Sequence, residues 1–162
     1  MPKSRKIYVV LDNIRSAYNV GSIFRTADAA GVSKIFLCGI TPTPTDRFGR
    51  PRNDLAKTAL GAEKSVAWES CRSTAAAVRK LKAGGAKIIA VEKIEKTAGA
   101  VNYKKVRVTG DTAFVFGNEV KGLSAHLLKK CDLVCEIPMT GRKESLNVAV
   151  SAAVVLYRVL NL

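Results

Sequence analysis

Histidine is almost absent from this chain. His126 is the only one in 162 residues, which argues against a zinc cluster and leaves few places for an imidazole base. The four cysteines, Cys38, Cys71, Cys131 and Cys135, do not make up for it. Cys131 and Cys135 sit at the ends of an apparent strand and would stand about 13 Å apart, too far for one metal or one disulfide. Buried, reduced thiols in a cytoplasmic protein are the expectation, with no metal. Long apolar runs are missing too. Ile7 to Leu11 is too short for a secretory signal core. The apolar stretch from Ser145 to Leu162 is broken by Asn147, Ser151, Arg158 and Asn161 and is short for a bilayer span. Acidic residues are scarce: 13 Asp plus Glu stand against 27 Lys plus Arg, a net charge of +14. Such a surplus suits a polyanionic partner, because each cation set on a phosphate releases counterions. Nucleic acid is the first reading and a membrane surface the second.

The remaining composition is that of a folded domain. Hydrophobic residues make up 48% of the chain, and its length suits one domain spanning 1–162. Short β-branched runs alternate with helical stretches. The expected strands are Ile7–Leu11, Lys34–Cys38, Ser65–Trp68, Lys87–Val91, Thr112–Phe116 and Leu133–Ile137. Helical patterns cover Tyr18–Ala30, Cys71–Ala83, Ser124–Lys130 and Ser145–Leu160, with Gly31, Gly84 and Gly85 placed to end helices in left-handed caps. This alternation predicts an α/β fold, a mainly parallel sheet with helices on both faces. Two segments break the rhythm. Ile40 to Asp54 reads as a loop over the sheet edge, carrying Arg47, Arg50 and Arg52; Glu95 to Gly110 is polar and carries Lys96, Lys104, Lys105 and Arg107. No repeat, low-complexity tract or interdomain linker is visible.

Ligands of open parallel sheets sit beyond the C-terminal strand ends. Three such ends are distinctive: Val91-Glu92-Lys93, Gly117-Asn118-Glu119-Val120-Lys121-Gly122 and Pro138-Met139-Thr140-Gly141. The second has two glycines at the spacing of a phosphate loop, yet Leu123 stands where that loop has lysine, and Glu119 would bring a carboxylate into an anion cradle. A cationic or hydroxyl-bearing ligand fits better; a plain glycine-capped turn is the bland alternative. No GxGxxG occurs, which weakens a dinucleotide-binding reading. Ser145 is a good N-cap for the last helix. Asn147 is harder to explain, since an amide beside an apolar helix costs desolvation unless it finds partners. That helix is apolar all round, from Val148 to Leu156, and needs cover on more than one side, so an oligomer interface is expected. Arg25 and Asp28 on the first helix read as exposed charges unless the helix end faces the ligand loops.

Three segments then resemble, in order and at matching spacing, the motifs of SpoU (TrmH-like) methyltransferases of the SPOUT superfamily. They are Asn19-Val20-Gly21-Ser22-Ile23-Phe24-Arg25-Thr26-Ala27, Phe116 to Leu123, and Ile137-Pro138-Met139 through Ser145-Leu146-Asn147-Val148. The resemblance runs across nearly the whole chain. It implies a C-terminal trefoil knot, an exception to the rule against threaded chains. It also implies a homodimer through the first and last helices, and S-adenosylmethionine bent within the knot loops. By motif position the cofactor would meet Val91, Glu92, Gly117, Asn118, Ile137, Met139, Ser145 and Leu146. Asn19, Arg25, Glu119, Ser145 and Asn147 match the family's polar and catalytic positions. Arg47, Arg50, Arg52, Lys104 and Lys105 are expected on RNA phosphates. The reaction implied is methyl transfer to a ribose 2′-hydroxyl, in tRNA rather than ribosomal RNA, by a chain without an added RNA-binding extension. An RNA-binding module without catalysis and a small-molecule methyltransferase are the alternatives.

Overall fold

In the computed structural model, residues 4–95 and 99–162 are described; Lys96 and the first three residues of the basic start lie outside them. The strands are β1 (Ile7–Asp12), β2 (Lys34–Cys38), β3 (Trp68–Cys71), β4 (Lys87–Val91), β5 (Val101–Asn102), β6 (Thr112–Phe116) and β7 (Leu133–Glu136). The helices are α1 (Ala17–Ala29), α2 (Asn53–Ala59), α3 (Ala62–Ser65), α4 (Thr74–Ala83), α5 (Ala125–Lys130) and α6 (Val148–Leu160). The seven strands pair in the order β3-β2-β1-β6-β4-β7-β5, every pair parallel.

The central strands are buried on both faces. Val9, Val10 and Leu11 of β1, Ile88, Ile89 and Ala90 of β4, and Ala113 to Phe116 of β6 are almost fully excluded from solvent. Continuous apolar runs of this kind leave no side for water, so helices must cover both faces. On one face α1, α2, α3 and α6 pack over Val9, Leu11, Ile89, Phe114 and Phe116. On the other, α4 and α5 close over Val10, Phe36, Ile88, Ala113 and Val115. Cys38 and Cys135 lie inside these cores. Burial raises both thiols to about 12, so neither is a nucleophile at neutral pH.

Register explains where the ligand loops converge. Leu37, Leu11, Phe116, Val91 and Cys135 form one lateral row across five adjacent strands. The chain leaves the sheet just past that row on β6, β4 and β7, which are neighbours. Gly117, Glu92 and Ile137 therefore emerge side by side at one edge.

Several sequence expectations shift. The strand expected at Ser65–Trp68 is β3 at Trp68–Cys71, and Ser65 instead ends α3. The helix expected from Cys71 starts at Thr74 because the Ser73 hydroxyl accepts the Ala76 N–H as its cap. Gly31 and Gly85 take left-handed φ of 72° and 89°, while Gly84 does not. The tail of the Ile40–Asp54 loop belongs to α2, and the second polar stretch contains β5 followed by a 3-10 turn at Tyr103–Lys105. The last helix starts at Val148, not Ser145.

Close packing of α1 on α2 depends on Gly21. A Cβ there would strike the Thr58 hydroxyl and the Leu55 carbonyl, with the Ala59 amide nitrogen at 3.0 Å. Leu55 is a backbone contact inside a helix, so it cannot swing aside. Gly21→Val should therefore cost about 1–3 kcal/mol through overpacking. Urea unfolding followed by circular dichroism measures it; an unchanged midpoint would contradict this packing account.

Candidate functional site

The loops leaving β4, β6 and β7, with the start of α6, enclose a cavity of about 460 Å³. That size lies in the range of small-molecule pockets, roughly 300–1,000 Å³. Val91, Phe116, Ile137, Met139, Leu146 and Val148 supply apolar lining, and Glu92, Glu119, Glu144, Lys93, Lys121, Ser145 and Asn147 supply polar groups. All eight residues expected at the cofactor line this one cavity: Val91, Glu92, Gly117, Asn118, Ile137, Met139, Ser145 and Leu146.

The Gly117–Leu123 loop is folded back on itself. Asn118 and Gly122 form an antiparallel bridge, and the Asn118 carboxamide oxygen accepts the Val120 and Lys121 N–H groups at 2.9 and 3.0 Å. A Cβ on Gly117 would lie 2.8 Å from the Gly122 carbonyl carbon and the Leu123 nitrogen. Glycine is required there by the loop's own backbone. Glu92 clamps the loop from β4: it accepts the Leu123 N–H at 2.8 Å and the Lys93 N–H at 3.1 Å. Gly122 takes φ 64°, and its missing Cβ leaves room for the Glu92 carboxylate.

Glu119 reaches from this loop to the start of α1. It accepts the Arg15 N–H at 3.1 Å, the Ser16 N–H at 3.3 Å and the Asn19 side-chain amide at 3.4 Å. Partial burial pushes its carboxyl upward, but the backbone N–H groups of Arg15, Glu119 and Ser16 and the Asn19 amide outweigh that and hold it below its ordinary value of 4.5. Asn19 in turn accepts the Asn147 amide at 3.1 Å. The Asn147 oxygen caps α6, accepting the Ala149 and Val150 N–H groups at 2.8 and 3.3 Å. The cap role expected of Ser145 thus belongs to Asn147, and the puzzling amide is satisfied at both ends. Ser145 is exposed at the cavity rim.

Four of the five expected polar and catalytic residues, Asn19, Glu119, Ser145 and Asn147, gather here. Arg25 does not. It is exposed on α1, six residues past Asn19 or about 9 Å along the helix axis, and it does not line the cavity of its own chain. The expected RNA contacts also separate. Arg47, Arg50 and Arg52 precede α2 beyond β2, whereas Lys104 and Lys105 follow β5 at the opposite sheet edge. Arg50 pairs with Asp46 at 2.8 Å and Arg52 with Asp54 at 3.3 Å.

Sequence reading missed Asn13. It holds φ 51°, donates its N–H to the Cys38 carbonyl, accepts the Ile40 N–H on its side chain and accepts the Asn118 amide on its carbonyl. It thereby ties the ends of β1, β2 and β6 together. Asparagine tolerates left-handed backbone better than other non-glycine residues, the signal that could have marked it.

A parallel α/β sheet with a polar-rimmed cavity at its C-terminal edge is the architecture of open α/β domains that place ligand sites on their strand-end loops. The chain belongs to the SpoU rRNA Methylase family, whose model matches residues 6–157. It is 32% identical over 150 residues to the 23S rRNA (guanosine-2'-O-)-methyltransferase RlmB of Neisseria meningitidis serogroup B, across 93% of this chain and 56% of that protein. It superposes on the AdoMet-bound rRNA methyltransferase of Sinorhizobium meliloti with a TM-score of 0.84 and 30% identity, covering 99% of this chain and 57% of that one. The chain thus spans little more than half the length of these two relatives. A second solved structure, one that gives insights into the 2-OH methylation of C/U34 on tRNA, matches with a TM-score of 0.79 and 26% identity over 96% of this chain and 94% of that one.

Glu119 offers a test of how the site is held. Its carboxyl is held low in the fold, so its contribution is complete above 4.5, its ordinary value, and fades as pH falls through the lower folded value. Wild type should exceed Glu119→Gln in stability at neutral pH, and the gap should narrow below pH 4.5. Thermal melts at several pH values measure this; a gap that does not vary with pH would contradict it.

Proposed function

We propose that this chain is an S-adenosylmethionine-dependent RNA methyltransferase acting on a ribose 2′-hydroxyl, with tRNA the favoured substrate. One observation carries the reading: two of the motif segments line one cavity, and the first is tied to both of them through Asn19, which bonds Glu119 and Asn147. The lining fits the cofactor chemically. Three carboxylates suit a ligand bearing a sulfonium, an ammonium and ribose hydroxyls, the two lysines suit its carboxylate, and the apolar residues suit an adenine ring. When bound, the cofactor supplies an electrophilic methyl group. The charge of +14 supports an RNA substrate. The relative studied for tRNA 2-OH methylation matches this chain over nearly its full length, which favours tRNA. We read 1–162 as one methyltransferase unit, its C-terminal crossings forming the expected trefoil knot, at work in the cytoplasm where such RNAs are found.

The chain's residues divide the work. Val91, Glu92, Gly117, Asn118, Ile137, Met139, Ser145 and Leu146 hold the cofactor. Asn19, Glu119 and Asn147 set the geometry of the three loops, and Ser145 at the rim positions the incoming ribose. Arg25 is permanently protonated, so it acts as a fixed cation that stabilises developing alkoxide charge. Its distance from its own cavity is explained if it serves the cavity of a second protomer. The outer face of α6 supports such a homodimer: Val150 and Tyr157 remain 47% and 39% exposed, and Tyr18 on α1 is 51% exposed. Lys104 and Lys105, with Arg47, Arg50 and Arg52, extend the phosphate-binding surface. An RNA-binding module that has lost catalysis would have no need for the cofactor cavity to be intact.

Calorimetry should show S-adenosylmethionine binding with micromolar affinity, about −8 kcal/mol, and Gly117→Val should abolish it by displacing the 122–123 backbone. No heat with either the cofactor or its demethylated product would sink the proposal. Arg25→Ala should keep that affinity while slowing methyl transfer to RNA at least about a hundredfold; transfer at the wild-type rate would remove Arg25 from the mechanism.

A further inference from the structure

The loop between β2 and α2 carries a feature that the cofactor site does not use. Residues 45–51 fold into a tight turn, with Thr45 bridged to Pro51. Asp46 is its hub. Its backbone N–H donates to the Arg50 carbonyl at 2.8 Å, and its carboxylate accepts the Phe48 N–H at 2.8 Å, the Arg50 N–H at 3.0 Å and the Arg50 Nε at 2.8 Å. Gly49 closes the turn at φ 78°. The turn is also anchored. The Arg52 N–H donates to the Pro44 carbonyl at 2.9 Å. At its base the Ile40 N–H donates to Asn13, which also accepts the Asn118 amide of the cavity loop. The turn is therefore built off the same C-terminal sheet edge as the cavity.

At its tip this turn holds Phe48 out in solvent, 66% exposed. One exposed phenylalanine is ordinary on a protein surface. This one is flanked by two cations: the Arg47 and Arg50 guanidinium carbons lie 4.8 and 5.0 Å from the ring centroid. Arg47 makes no ion pair among the described residues. An apolar protein partner would gain little from a ring ringed by charge. A nucleic-acid strand gains from both parts, because bases stack on aromatic rings and on guanidinium planes while arginines meet phosphates. Duplex RNA offers its base faces only at its ends, so the partner is unpaired.

We propose that Phe48, with Arg47 and Arg50 beside it, is a stacking platform for an unpaired nucleobase of the RNA substrate. The proposal rests on the RNA methyltransferase reading above and goes further by naming the single-stranded character of an RNA region that the protein contacts. Either guanidinium remains on the ring and offers its outer plane, or it swings to a phosphate and frees the ring. The platform is sequence-tolerant by its chemistry, since every base has a stacking face.

The test uses the full chain, a mixed-sequence single-stranded oligoribonucleotide and a blunt RNA duplex of equal length, with affinity read by fluorescence anisotropy across a salt series. Wild type should prefer the single strand. Phe48→Leu should lose about tenfold or more on the single strand, with its salt slope and duplex affinity unchanged. Phe48→Tyr should retain wild-type binding, and Arg47→Gln should lower the salt slope by about one. Phe48 is exposed, so unaltered thermal melts will show that Phe48→Leu folds. Equal single-strand binding by Phe48→Leu and wild type overturns the platform and leaves the RNA reading standing. Failure of wild type to bind either RNA at low salt overturns the RNA reading, and the platform with it.

Discussion

The site depends on a short polar chain that runs from Glu119 through Asn19 to Asn147. It joins three segments that are more than 100 residues apart at their extremes. Each segment alone is a loop or a helix start, and ordering such backbone costs about 1–2 kcal/mol per residue. The chain of contacts is not strong enough to offset that. Its distances run from 3.1 to 3.4 Å, and Glu119 is exposed to water. The stability comes from the two cores on either side of the sheet. What the polar chain contributes is geometry: it fixes the start of α1 and the start of α6 against the Gly117–Leu123 loop, so that the cavity has one shape.

The charge pattern follows the same division. The protein carries +14 overall, yet its cavity is lined by Glu92, Glu119 and Glu144 against Lys93 and Lys121, a local balance of −1 from three carboxylates and two ammonium groups. An anionic interior favours a cationic ligand over an anionic one. Two of these carboxylates have a mechanical task as well. Glu92 and Glu119 hold backbone N–H groups on opposite sides of the cavity loop. A neutral side chain at either position would lose both a negative charge in the cavity and an anchor of the loop.

The parts of the fold that were legible in the sequence are those governed by burial on both faces. β1, β2, β4 and β6 are continuous apolar runs, and their bounds match the expectation within a residue. The edge strand β3 was displaced because Trp68-Glu69-Ser70-Cys71 is only half-buried and Glu69 faces Lys34 and Lys80. α2 went unread: its first two residues, Asn53 and Asp54, fell in what read as a basic loop, and Lys57 interrupts the two residues that anchor it, Leu55 and Ala59. Burial patterns say nothing of two-residue β5. Most cavity residues were legible because they lie in ordered motifs, and Val91 and Glu92 because they end a strand of the parallel sheet. Arg25 was named by motif alone, and this chain's own cavity gives it no partner. Asn13 was missed, because its backbone groups, one side-chain oxygen and a left-handed φ do its work and leave no periodic trace; only the residue type, an asparagine just past a strand, hints at it.

Incubating the protein with methyl-labelled S-adenosylmethionine and tRNA, digesting the RNA to nucleosides and identifying the labelled product tests the central claim most directly. The account predicts label in a 2′-O-methylated nucleoside, and no transfer to the same RNA already methylated at that ribose. Label on a base, or cofactor binding with no transfer to any tRNA or ribosomal RNA offered, would contradict it.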